Sequence, residues 1–412
     1  MGKADRDRRR VWLGILAATL LAAFFGLLAA CGSDEPAPTA TSQPGLTGAT
    51  PPSATSEPAK EPWEIEWDET LAKAQAEGEV SLALGAGPTR EFRPIFKAFQ
   101  DEFGIRVIVS GGSGRQAAAR ILAERAAGQY TVDLAYTGAS TAHGVLIPNQ
   151  VLAPVEPLLF RADLLDRSVW YKNELWWADP EHKYVFVFAA SHSNPGIVIN
   201  TDLVNEEEIK SYWDVLDPTY NGLHVSGDLG DAGGASTFHF LFGHPDVGPE
   251  FLTRYALETD LTMVSDARVA ASWMFEGTKG IAMHLGPTFS TLIDDLESRG
   301  APVKKLTDPM LEGSTLAISA RQQIMVLNKS PNPNAQKLFL NWFLSPAGQL
   351  LVQHVGIDSL RIDIPKDMVD LNCLRREGFD YVSTATDSDY VTSVPESRMF
   401  AQELAAKFRA QQ

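Results

Sequence analysis

Apolar side chains recur along this chain with two periods, and the alternation between them predicts the fold class. Residues 79–84, EVSLAL, form a short apolar run between Gly78 and Gly85 and read as a buried strand. Phe92, Ile95, Phe96, Phe99 and Phe103 then fall on one face of a helix, with Pro94 tolerated in its first turn and Gly104 stopping it. Residues 105–109 return to branched side chains, the turn SGGSG follows, and a helix over 115–127 ends at Gly128. A third strand is predicted over 132–136. Strands alternating with helices in this way form βαβ crossovers and a mostly parallel sheet.

The alternation returns further on. Residues 183–190 and 195–200 read as extended, and 223–226 as a strand before the glycine-rich GDLGDAGGAS. Helices are predicted over 248–258 and from the N-cap Ser265 to Gly277. A strand over 281–284 leads through Leu285-Gly286-Pro287-Thr288 into a helix ending at Arg299. Asn334 caps another helix with Leu338, Phe339, Trp342 and Phe343 on its inner side, and Ser345-Pro346 opens the next. No internal repeat is present.

Five strand-to-helix turns therefore share one character: 85–89, 110–115, 136–140, 226–236 and 284–288. In open α/β sheets such turns line the ligand crevice, where helix N-termini present free N–H groups and positive dipole ends. The candidate ligand-binding residues are Gly87, Pro88 and Thr89 in the first turn, and Gly112, Ser113, Gly114 and Arg115 in the second. Tyr136, Thr137 and Ser140 follow in the third, Asp228 and Ser236 in the fourth, and His284 and Thr288 in the fifth. Arg115 either holds an anion or caps a neighbouring carboxylate. Asp228 and Asp231 instead suit a cation.

The chain ends fix the compartment. Lys3, Arg6, Arg8, Arg9 and Arg10 precede an uncharged apolar stretch over 11–30, which ends Leu28-Ala29-Ala30-Cys31 and resembles a bacterial lipobox. Residues 1–30 are expected to be a lipoprotein signal peptide and Cys31 the acylated N-terminus. An uncleaved membrane helix is the alternative. Residues 31–62 contain seven Pro and only one large aliphatic residue, Leu46, and should be a disordered tether. From Trp63 to the end the composition is globular and long enough for more than one core.

Charge and cysteine content narrow the partners. The formal net charge is −17, which makes nucleic acid and anionic membrane surfaces poor partners. Cys373 is the only cysteine besides Cys31 and reads as an apolar filler.

Catalytic signatures are scarce. GAGPTR and GGSGR complete neither GxSxG nor GxGxxG, and no P-loop, HExxH or Cys/His cluster is present, so no enzyme, cofactor or metal is predicted. An anchored hydrolase would need a base and an orienting acid for Ser113 that the sequence does not nominate. His239 and His244 are spaced wrongly for one helix face. Trp170, Tyr171, Trp176 and Trp177 form an aromatic cluster that either packs beneath a loop or stacks on a sugar or an ammonium group.

Four ordered segments resemble a known family. Residues 77–136, then INTDLVNEEEIKSYWDVLDPTYNG, GTKGIAMHLGPT and NKSPNPNAQKLFLNWFLSPAGQ are similar to bacterial extracellular solute-binding proteins, the receptors of ABC importers, in the iron-type branch. The resemblance spans about 63–365. It implies an α/β, two-lobed periplasmic-binding-protein-like fold of type II, each lobe a mostly parallel sheet flanked by helices, with a hinge between them. It further implies lobe one over 63–195 and 286–345, lobe two over 196–285, and a segment 346–412 packed across both. The function implied is capture of a small polar solute or ion between the lobes, by a monomer anchored through acylated Cys31, and delivery to ABC permease subunits. A ligand-sensing partner of a kinase or chemoreceptor is the alternative. Ferric members of the family use adjacent tyrosines in the second-lobe turn; here that turn reads MHLGPT, and Ile199 replaces the usual Tyr of YNT.

Overall fold

The apolar face at 92–103 is buried as its spacing requires. In the computed structural model, which describes residues 60–84, 90–232 and 236–412, helix α2 (Arg93–Phe103) buries Ile95, Phe96, Phe99 and Phe103, and Phe92 is buried beside them. The signal segment, Cys31, most of the tether, and Gly87, Pro88 and Thr89 lie outside the described residues. Helix α1 (Pro62–Glu77) leads into β1 (Glu79–Leu84), and α2 into β2 (Arg106–Ser110). Helix α3 (Gly114–Ala126) then leads to β3 (Leu134–Tyr136). Strand β1 pairs in parallel with both β2 and β3. Strands β4 (Leu152–Ala153), β5 (Trp176–Trp177) and β6 (Phe186–Val187) complete this half of the chain.

A second unit repeats the plan. The chain passes through β7 (Ser191–His192) and β8 (Val198–Asn200) into β9 (His224–Ser226). Helices α4 (Ser236–Gly243) and α5 (Gly248–Glu258), strand β10 (Thr262–Met263) and helix α6 (Ala267–Phe275) follow. Next come β11 (Ile281–Met283), α7 (Gly286–Ser298) and β12 (Val303–Lys305). The return path is β13 (Ser314–Ala317) and β14 (Gln323–Leu327), then α8 (Pro333–Leu344) and α9 (Pro346–His354). Strand β15 (Tyr381–Val382) and helix α10 (Ser388–Gln411) end the chain.

The two main sheets share one order. The first runs β2-β1-β3-β14-β6-β5 with β4 also on β14, and the second runs β10-β9-β11-β8-β12. Each has three parallel strands with the earliest in the middle, followed by an antiparallel strand from the connection to the other half: β14 in the first, β8 in the second. The two connections pair with each other, β7 against β13, and β15 joins β13 in parallel. The described fold is thus two α/β lobes joined by a small sheet.

Period-two burial explains the second sheet. Ile197, just before β8, and Ile199 on it enter one core while Val198 enters the other; on β11, Ile281 and Met283 enter the first and Ala282 the second. Both faces are therefore apolar and packed, in a mixed sheet with two parallel and two antiparallel pairings.

One expected boundary moves. Strand β12 pairs antiparallel with β8, and Phe289 and Ile293 of α7 share a core with Val198 and Val225. Residues 286–305 therefore pack on the second lobe, and the chain returns to the first after Lys305 rather than at 286. The physical reason is that α7 covers the sheet that β11 feeds it from.

The C-terminal residues contribute to both halves. Val352, Ile357 and Leu360 lie in the first core, whereas Tyr390, Leu404 and Phe408 lie in the second. Asp358, 1% exposed, ties this segment down: its carboxylate accepts from Lys366 Nζ at 2.9 Å and Arg375 Nε at 2.8 Å. Its backbone carbonyl accepts from the Ala190 N–H at 3.0 Å. Among the described residues, no helix is long and apolar enough to cross a membrane.

Candidate functional site

Three parallel strands of the second lobe end together. Strand β9 ends at Ser226 and turns at Gly227-Asp228, β10 gives way to Val264-Ser265 before α6, and β11 ends in His284-Leu285 before α7. These turns enclose a cavity of about 490 Å³. Its apolar walls include Ile197, Val198, Val264 and Phe289, and its polar groups include Asn194, Thr237, Ser265 and Ser290. Asp228, Asp231, His284 and Lys305 complete the ionisable lining. Ala267 and Gly286, the first residues of α6 and α7, are part of the wall, so two helix N-termini border the space. That geometry favours the negative or acceptor end of a solute.

The charged side chains are mostly committed. Lys305 Nζ donates to Ser290 Oγ at 2.6 Å and pairs with Asp294. Asp228 accepts from the Gly230 N–H at 2.9 Å and pairs with Arg409 of α10. Asp231 is exposed and forms no ion pair among the described residues.

His284 is the most unusual wall residue. Its φ is +57°, a left-handed conformation rare outside glycine and asparagine. The ring packs edge-on against Phe238 at 5.3 Å and Tyr255 at 6.0 Å between centroids, and this desolvation pushes its pKa down to about 4. The imidazole at the wall is therefore neutral at pH 7, and its buried Nε2 has no partner among the described residues.

Beneath His284 runs a row of polar groups in an apolar layer. His224 and Ser226 occupy the β9 positions that pair with Ile281 and Met283 of β11. His224 lies edge-on to Tyr255 at 5.5 Å. Burial and the Lys279 charge push His224 down to about 4, against an opposing pull from the Val215 backbone. Burial pushes the Tyr255 hydroxyl well up, with Ser226 near enough to pull partly against it, and neither oxygen completes a hydrogen bond among the described residues.

The remaining sequence-predicted residues lie elsewhere. Ser113 is the N-cap of α3: its Oγ accepts from the Gln116 N–H at 3.2 Å while Gln116 Oε1 accepts from the Ser113 N–H at 2.8 Å. A Cβ on Gly114 would lie 3.0 Å from Thr141 Oγ1, so that glycine serves packing of α3 on the next turn. Gly112 sits in the same turn, and Arg115 is exposed with no partner among the described residues.

Two candidates are corrected outright. Tyr136 is fully buried among Phe92, Phe188 and Phe343, which removes it from any cleft surface. Thr137 is also buried, with its hydroxyl 3.6 Å from the Met325 sulfur. Ser140 and Thr288 are exposed and line no part of the cavity, although Gly286 and Phe289 beside Thr288 do. Ser236 starts α4, and its neighbour Thr237 reaches the wall.

Asp228 and His284 are the predicted residues found at the cavity. Thr237, Ser265 and Lys305 were missed. The sequence predicts Ser265 as the helix cap, but Asp266 takes that place by accepting from the Arg268 N–H at 2.8 Å and leaves Ser265 to the cavity. Lys305 carried no signal, because β12 is three residues long without alternation. Among the described residues, no cluster of three or more His, Cys, Asp or Glu is grouped to hold a metal.

The profile of the bacterial extracellular solute-binding proteins matches residues 85–350, more than half of the chain. The chain belongs to this family. Solved structures with the same fold include three bacterial proteins. The ferric iron-binding protein A of Mannheimia haemolytica, in an open conformation, is 15% identical over 81% of this chain and 98% of its own, with a TM-score of 0.56. A putative extracellular solute-binding protein of Bordetella parapertussis is 14% identical over 80% and 99%, with a TM-score of 0.57. An ABC transporter protein of Clostridium perfringens is 12% identical over 79% and 99%, with a TM-score of 0.55. No curated protein matches the chain by sequence. This solute-binding protein thus carries its cavity where open α/β sheets bind ligands, outside the carboxyl ends of parallel strands.

Proposed function

We propose that this solute-binding protein is the receptor of an ABC importer, lipid-anchored through Cys31, and that it captures a small polar organic solute in the second-lobe cavity. The observation that carries the reading is the convergence of three strand ends and two helix N-termini on one space of about 490 Å³, within the size range of small-molecule sites. Apolar walls hold the body of the solute, and Ser265, Thr237, His284 and the helix-start N–H groups orient its polar end.

Every wall residue belongs to the second lobe or to the connection at Asn194. The first-lobe turn at Gly112 and Arg115 joins the ligand on lobe closure, a population shift driven by tighter binding in the closed state. Arg115, exposed and without a partner among the described residues, then offers its charge to an anionic end of the solute.

Ferric ion, named for the Mannheimia protein, is not the proposed cargo. Among the described residues, no tyrosine lines the cavity and His284 is its only imidazole, while Asp228 is engaged by Arg409. Hard phenolate oxygens are absent where a ferric ion would need them.

A thermal-shift screen of the full chain against organic acids, phosphonates, sulfonates, polyols and ferric citrate tests this reading. A cargo present at 100 times its dissociation constant adds about 2.7 kcal/mol. Stabilisation by an organic solute supports the proposal, and stabilisation by ferric citrate alone contradicts it.

A further inference from the structure

A second cavity, of about 310 Å³, lies away from the strand ends, where the residues after β4 meet the C-terminal segment. Trp176 and Trp177, only 8% and 7% exposed, form part of its wall together with Tyr381. The aromatic cluster legible in the sequence is therefore divided: Trp170 packs over Arg361 in the first core, while this tryptophan pair reaches a cavity.

The charge of the lining is unbalanced. Lys172 Nζ pairs with Asp380 at 3.0 Å. Glu174 and Asp387 remain, and neither faces a cation among the described residues. Asp387 uses one oxygen to cap α10, accepting from the Asp389 N–H at 3.1 Å, and Glu174 is exposed and unengaged. His182 is the remaining ionisable wall residue.

Ser383 provides an independent sign of a guest. It lines this cavity and is 4% exposed, yet its buried Oγ has no hydrogen-bond partner among the described residues. A buried hydroxyl left unpaired is destabilising, and a ligand N–H would satisfy it as a donor.

We infer that this cavity binds an organic cation bearing N–H groups, a primary ammonium or a guanidinium, held by Glu174 and Asp387, by the Ser383 hydroxyl and by the aromatic wall. Carboxylates together with indole and phenol rings favour a cation that combines charge with a flat or apolar body. The site is separate from the second-lobe cavity and shares no residue with it.

Agmatine, which carries both groups, is the probe. Titrated into the full chain and followed by tryptophan fluorescence and calorimetry, it should saturate one site. Glu174→Gln should weaken it about tenfold, equivalent to about 1.4 kcal/mol. Ser383→Ala should weaken it by roughly threefold to tenfold. Tetramethylammonium, which has no N–H, should bind more weakly. The inference is overturned if agmatine does not bind, if both variants bind it as the wild type does, or if tetramethylammonium binds equally well. It is also overturned if Ser265→Trp, which fills the other cavity, abolishes agmatine binding. Glu174→Gln leaves cargo capture in the second lobe unchanged, so failure here is distinguishable from failure of the receptor reading.

Discussion

A Cβ placed on Gly227 would lie 2.4 Å from the carbonyl oxygen of His284. The turns after β9 and β11 therefore touch backbone to backbone, and this contact sets the width of the second-lobe cavity. Carbonyl oxygens cannot rotate away as a flexible side chain can. Gly227→Ala should destabilise the protein by more than about 2 kcal/mol and weaken cargo binding together with stability. Chemical denaturation of the variant checks this, and an unchanged midpoint would show that the turns separate freely.

The histidines of the second lobe predict acid sensitivity. His224 and His284 have pKa values of about 4 in the fold, against about 6.5 when free. The unfolded chain therefore binds more protons between these values. Stability is complete above about pH 6.5 and is lost as the pH falls toward 4, by on the order of 3 kcal/mol per histidine. His284→Asn keeps a residue type that tolerates positive φ and removes one titration. Denaturation midpoints measured from pH 7 to 4 should fall less steeply in this variant than in the wild type.

The legibility of the chain follows the distance over which its forces act. Local periodicity located Phe92 to Phe103 and the helix at 248–258 within a residue or two, because each face is written in consecutive side chains. Long-range pairing was not written there: Met325 opposite Ala135 and Ile281 opposite Ile199 join segments whose own sequences name no partner. The return point after Lys305 was missed for that reason. At the site, strand-end turns showed where a cavity forms but not which turn residues face it. Ser113 has the right chemistry and is spent as a cap, whereas Lys305 arrives from a strand of three residues.

Asp358 anchors the C-terminal segment and should behave as a buried charge hub. Asp358→Ala leaves Lys366 and Arg375 without their carboxylate and should cost roughly 3–5 kcal/mol. Urea denaturation monitored by circular dichroism would show it. A loss below about 1 kcal/mol would mean that water replaces the carboxylate.

Arg115 has no partner among the described residues. Arg115→Ala should change stability by less than about 0.5 kcal/mol while weakening capture of an anionic solute. Equal losses in stability and affinity would instead assign it a structural contact.

The proposed lipid anchor at Cys31 is tested separately. Cys31→Ser should release the protein from membranes on fractionation and remove the acyl label. Persistence of the label would mean that another residue is acylated.

The account rests on the second-lobe cavity as the cargo site. Calorimetric titration of the most stabilising solute into the wild type and into Ser265→Trp tests it most directly, because Ser265 is an exposed wall residue whose enlargement fills the space without disturbing a core. The predicted result is one-to-one binding in the wild type and a loss of at least about tenfold in the variant, with the unfolding midpoint unchanged. Equal affinity in both proteins would place the cargo elsewhere and contradict the account.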